Sequence, residues 1–135
     1  MLSNVYLSGS IKSSNVAGEL VELARSWIDA PDLAIRSSGF AGGAYEQHER
    51  GYVITRTGSR DALDVTIDAS ASRPFVRSAL ILKNWGSGSL VDVAVNGRSL
   101  EETAEFRQGF EGEDLVVFLN IERSSSVEIT LAVRP

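Results

Sequence analysis

The chain has 135 residues, which fits one domain over residues 1–135. Hydrophobic residues make up 43% and charged residues 23%, so disorder and coiled coil are poor descriptions of the whole chain. The net charge is -5, and no Lys/Arg cluster offers the positive patch that nucleic acid or an anionic membrane surface requires. No apolar run approaches the ~20 residues needed to span a bilayer. The absence of cysteine excludes disulfides, thiolate chemistry and cysteine-bound zinc or iron–sulfur clusters.

Met1-Leu2-Ser3-Asn4-Val5 lacks the charged start and apolar core of a signal peptide. The expectation is a cytoplasmic protein, or a piece of a longer chain, which for an exported parent means the periplasm or the outside. Asn4–Leu7 is short and β-like. Ser13-Ser14-Asn15 offers N-caps for an amphipathic helix over about 16–29. Val16, Leu20, Leu23, Ala24, Trp27 and Ile28 recur at helical spacing, and Glu19, Glu22, Arg25 and Ser26 occupy the other side. Pro31 stops the helix, because the residue before proline avoids helical dihedrals.

From Leu33 onward the hydrophobic period changes to two. Leu33 and Ile35 predict a short strand, Ser37–Ala44 a glycine-rich loop, and Tyr52–Thr57 a second strand. Leu63–Asp68 alternates cleanly, so one face is dry and the other wet. Phe75–Lys83 is apolar on both faces, as an interior strand should be. Gly86-Ser87-Gly88-Ser89 breaks it. Val91, Val93 and Val95 alternate again and lead into Asn96-Gly97, whose tolerance of positive φ predicts a hairpin turn. Leu115–Ile121 and Val127–Val133 are the last strands, joined by a turn at Arg123–Ser126. About seven or eight short strands at roughly ten-residue spacing predict a mainly β chain: an antiparallel β-sandwich or jelly roll with one amphipathic helix near the N-terminus.

No sharp catalytic motif is present. The glycine run Gly39–Gly43 is followed by Tyr45-Glu46-Gln47-His48 rather than the Gly-Lys-Ser/Thr of a phosphate loop, and reads as a surface loop. His48 is the sole histidine. With Tyr45 and either Arg50 or Arg56 it could abstract a proton beside a uronic-acid carboxylate, as in a small polysaccharide lyase or isomerase. The plainer reading is an ordinary histidine in a polar loop. Trp85, at a strand end before a glycine turn, could present its indole to a sugar ring, or it could plug the end of a sandwich. Six acids fall within Glu101–Asp114, and Glu111-Gly112-Glu113-Asp114 is the one place where a calcium ion is conceivable; a solvated acidic loop is the commoner outcome. No other cofactor is implied.

Several phrases taken together carry a likeness: Leu23–Pro31, Gly51-Tyr52-Val53-Ile54, Leu80–Gly86, Val95-Asn96-Gly97-Arg98, Phe106-Arg107-Gln108-Gly109 and Asp114–Leu119. They resemble the accessory β-sandwich domains that follow catalytic portions in exported bacterial polysaccharide-degrading proteins, over about Leu20 to Val133. The resemblance implies a module without catalysis of its own, whose partner is a polysaccharide or a neighbouring catalytic domain. Trp85, Tyr45, Arg107 and His48 are then the candidate ligand-binding residues. An alternative is a structural domain that oligomerises through the Val16–Ile28 stripe, because a lone leading helix needs a partner surface in its own sheet or in another chain.

Overall fold

The computed structural model describes residues 29–58, 62–86 and 88–134. The expected Asn4–Leu7 segment and the helix over about 16–29 lie outside them, apart from Asp29. The described chain is mainly β, and its strands in order are β1 (Leu33–Ile35), β2 (Phe40–Glu46), β3 (Gly51–Arg56), β4 (Ala62–Ile67), β5 (Phe75–Val76), β6 (Ala79–Lys83), β7 (Val91–Val95), β8 (Arg98–Ser99), β9 (Phe106–Glu111), β10 (Asp114–Leu119), β11 (Glu122–Arg123) and β12 (Val127–Val133). One five-stranded sheet has the order β1-β4-β12-β7-β8, and a second has the order β2-β3-β6-β10-β9. The two-residue strands β5 and β11 pair with each other.

Alternation explains which side chains meet. In the first sheet Leu63, Val65 and Ile67 of β4, Ile129 and Leu131 of β12, and the three valines of β7 are buried in one cluster. Tyr52 and Ile54 of β3, Leu80 and Leu82 of β6, and Leu115, Val117 and Leu119 of β10 join the same cluster from the second sheet. Asn96 and Gly97 both have positive φ (50° and 82°), as the hairpin between β7 and β8 demands. Along the edge away from β1 and β2, the side-chain amide of Gln108 acts as a strand mimic. It accepts from Val91 N at 3.0 Å and donates to Val91 O at 2.9 Å, tying β9 to β7 across the two sheets.

Four sequence expectations need correction. The sheets are not all antiparallel: β3 and β6 pair in parallel, because the chain leaves the second sheet to build β4 and returns running the same way. Phe75–Lys83 is not one strand. Arg77 takes positive φ (45°) and splits it into β5 and β6, while bonds from Leu119 N to Ser78 O and from Arg77 N to Ile121 O carry the β6–β10 ladder on into the β5–β11 pair. Ser37–Ala44 is not a loop throughout. Phe40–Glu46 pairs with β3, and a bulge between Gly42 and Ala44 absorbs the glycines. Residues 106–111, read as part of an acidic loop, form β9 on the edge of the second sheet.

The acids of that region are drawn to bases. Glu105 pairs with Arg98 at 2.6 Å, and Glu102 with Arg134 at 2.7 Å. The hydrogen bond from Arg98, helped by the Glu101 backbone N–H, holds the Glu105 carboxyl down at about 2 from an ordinary 4.5. A carboxyl with a depressed folded pKa stabilises fully above its unfolded value, and that stabilisation is lost as pH falls toward the folded value. Stability of the wild-type chain should therefore slope downward from about pH 4.5 to about pH 2, and Glu105→Gln should flatten that slope. Urea denaturation at the two ends of the window measures it. The effect will be small, because the pair is open to solvent.

Candidate functional site

β1 and β2 are edge strands of different sheets, and the chain between Asp29 and Leu33 runs into β1 beside β2. Two groups clamp this entry. The Tyr52 hydroxyl donates to the Pro31 carbonyl, and the Arg73 guanidinium donates to the Ala30 carbonyl. Arg73 Nε also lies 3.1 Å from Asp29 Oδ1, in ion-pair reach without hydrogen-bond alignment. Between the clamped segment and β2 lies a cleft of about 220 Å³, lined by Ala30–Leu33, Gly42–Tyr45 and Tyr52.

The residues of β2 suit a cleft wall. Gly43 has φ +102° and is buried against Leu33, whose Cδ2 stands 3.0 Å from where a Cβ would be. A side chain there would press into Leu33. Beyond the bulge, Tyr45 packs edge-on against Tyr52, with ring centroids 5.3 Å apart and planes at 72°. Its hydroxyl oxygen is shut off from bulk water and has no hydrogen-bond partner among the described residues. Burial pushes the Tyr45 phenol up to about 12, with Arg50 opposing the shift. Burial likewise raises Tyr52, and the neighbouring Tyr45 adds to it. Both phenols are protonated at neutral pH, so they are hydrogen-bonding groups there and not bases.

The four residues singled out from sequence are dispersed. Tyr45 lines the cleft. His48 is exposed in the turn between β2 and β3, where its backbone N–H donates to Glu46 Oε1 at 3.2 Å. Arg107 is exposed on β9, at the opposite edge of the second sheet from β2. Of the two readings of Trp85, display to a sugar ring or plugging of the sandwich end, its 0% exposure agrees with the second. Its ring lies 5.9 Å from that of Phe40 at 23°, and its Nε1 donates to Ser89 O at 2.8 Å. Packing of a large aromatic won over display.

Of the two arginines in the proton-abstraction constellation, Arg50 lies near enough to Tyr45 to act on its phenol, and Arg56 does not stand beside it. Tyr45 stands opposite Tyr52, whereas Arg56 stands opposite Phe40, four residues further along β3. Among the described residues no group of three or more His, Cys, Asp or Glu is placed to hold a metal ion. At the turn considered for calcium, Asp114 bonds Lys83 Nζ at 3.2 Å and Asn84 N at 2.9 Å.

Sequence reasoning missed Tyr52 and Arg73 as site-builders, because each acts on backbone carbonyls more than twenty residues away. The one available signal was the glycine pair two residues before Tyr45, which marks a close approach of backbone. Fold and cleft together define a mainly β chain with two five-stranded sheets around one core and a small aromatic-walled cleft between two edge strands. Comparison with known proteins finds no matching family model, no matching curated protein and no matching solved structure.

Proposed function

We propose that the chain is a non-catalytic β-sandwich module that binds glycan weakly at the Tyr45–Tyr52 cleft and so serves a polysaccharide-directed neighbour. The observation that carries this reading is the Tyr45 hydroxyl, buried on a residue of the cleft wall and without a hydrogen-bond partner among the described residues. A buried, unmade hydrogen bond costs on the order of 1–3 kcal/mol, which a ligand acceptor recovers when the Tyr45 ring turns its hydroxyl into the cleft. Sugar hydroxyls supply such acceptors, and the C–H face of a pyranose suits an aromatic wall. The cleft's volume of about 220 Å³ suits one sugar residue better than a nucleotide cofactor. A lyase or isomerase reading finds less support, since burial pushes the Tyr45 phenol up to about 12 even with Arg50 opposing the rise, and Arg56 stands away from it.

Amide chemical-shift titration with a panel of neutral and acidic oligosaccharides tests the proposal. Shifts are expected at Gly42, Gly43 and Tyr45, with dissociation constants on the order of micromolar to millimolar. Tyr45→Phe should keep the fold and weaken binding about 3- to 10-fold, the value of one hydrogen bond. Silence at the cleft across the panel, or equal affinity of wild type and Tyr45→Phe, would remove the reading.

A further inference from the structure

The β7–β8 hairpin turns on Asn96-Gly97, the one Asn-Gly step in the sequence. Asn4 and Asn15 precede valine, Asn84 precedes Trp85, and Asn120 precedes Ile121. The difference is chemical. The backbone nitrogen after an asparagine can attack the side-chain amide to close a cyclic imide; a bulky or branched side chain on that next residue obstructs the approach, and glycine leaves it open. β8 is the edge of the first sheet opposite β1, so this tip is separate from the Tyr45–Tyr52 cleft.

The geometry of the tip favours the same step. Asn96 is exposed, and a Cβ on Gly97 would meet nothing within 4 Å. Asn96 N donates to Glu128 O at 2.8 Å, and Asn96 Oδ1 accepts from Glu128 N at 2.9 Å. The side-chain carbonyl thus stands in for a main-chain carbonyl one step beyond the Val95–Ile129 pair that ends the β7–β12 ladder. The Glu128 N–H polarises that carbonyl, and it faces the oxygen on which negative charge grows during attack at Cγ. Asn96 Nδ2, the leaving nitrogen, donates to no group among the described residues.

We propose that Asn96 is a self-modification site, which deamidates in the folded protein with Gly97 N as nucleophile and water as co-reactant. Gly97 N gives its proton to solvent, and its electron pair forms the bond to Asn96 Cγ. The Cγ–Nδ2 bond breaks, and the nitrogen takes a proton from water and leaves as ammonia. Water then opens the imide ring. Attack at Cγ gives aspartate, whereas attack at the main-chain carbonyl gives isoaspartate, in which the chain continues through Cγ. Either product adds one negative charge to a chain already at -5. The two differ in what they do to the fold. Aspartate keeps a side-chain oxygen for Glu128 N–H. Isoaspartate draws that acceptor into the main chain and lengthens a turn that joins the Val95–Arg98 pair, so it loosens β8.

The full-length folded chain, held in mildly alkaline buffer, is digested and read by mass spectrometry beside the same chain held in urea. The peptide containing Asn96 should gain roughly 1 Da in the folded sample and resolve into aspartate and isoaspartate forms, while the peptides of Asn84 and Asn120 stay unchanged over the same interval. Gly97→Ala should lose that gain in urea as well as in buffer, so any misfolding of the variant does not hide the result. No gain at Asn96 in the folded chain, whether or not the urea sample reacts, overturns the proposal. So does an equal gain at Asn84 or Asn120. Amide exchange separates the products: the Glu128 N–H should exchange faster in the isolated isoaspartate form than in wild type, and Asn96→Asp should keep the wild-type protection. Undiminished protection in the isoaspartate form would overturn the loosening of β8.

Discussion

Trp85→Ala should destabilise the chain by about 3–5 kcal/mol, the cost of emptying a large aromatic site in a packed core. Trp85 has no exposed surface, stacks on Phe40 and spends its indole N–H on the Ser89 carbonyl. Truncation leaves a void between the sheets and strips that carbonyl of its donor, so two penalties coincide. Since domains are typically stable by only about 5–15 kcal/mol, much of the margin would be lost. Trp85→Phe should cost clearly less, because it keeps the ring against Phe40 and loses only the indole's extra volume and its hydrogen bond. Urea denaturation followed by circular dichroism separates the two. A Trp85→Ala variant as stable as wild type would show that the indole does not pack inside the core.

Gly51→Ala should be strongly damaging for a single added methyl group. Gly51 pairs with Ala79 at the start of the parallel β3–β6 ladder. A Cβ there would stand 2.6 Å from the Ala79 carbonyl oxygen and 3.1 Å from both its carbonyl carbon and its Cβ. Nothing flexible can yield, because the nearest atoms are backbone. Overpacking of this kind costs about 1–3 kcal/mol, and a site bounded by main chain belongs at the upper end. The strands must part locally, which also disturbs Tyr52 and the clamp on Pro31. Adding Ala79→Gly should not rescue the variant, since the obstructing oxygen remains. Recovery in that double variant would contradict the account.

How much of this was legible beforehand follows from the range of each interaction. β3, β4, β7 and β12 were readable because one face of each meets the core, so their own sequences alternate. The Asn96-Gly97 hairpin was readable because turn type is a property of two residues. β2 was not, since Gly42 and Gly43 argue locally for a loop and only pairing with β3 holds them extended. β9 was obscured by its acidic surroundings. Its one polar inward residue, Gln108, makes sense only once Val91 lies opposite. Of the candidate residues, Tyr45 lines the cleft and Trp85 lies in the core, a distinction the sequence around them did not draw.

The sequence by itself determined the β class and the Asn96-Gly97 turn, because hydrophobic period and turn chemistry act over a few neighbouring residues. The tertiary structure alone decided that β3 and β6 run parallel, that Tyr45 packs edge-on against Tyr52, and that Trp85 is sealed from solvent. Each of these depends on which distant segments become neighbours, and that choice is made by the free energy of the whole packed chain, with no local stretch encoding it.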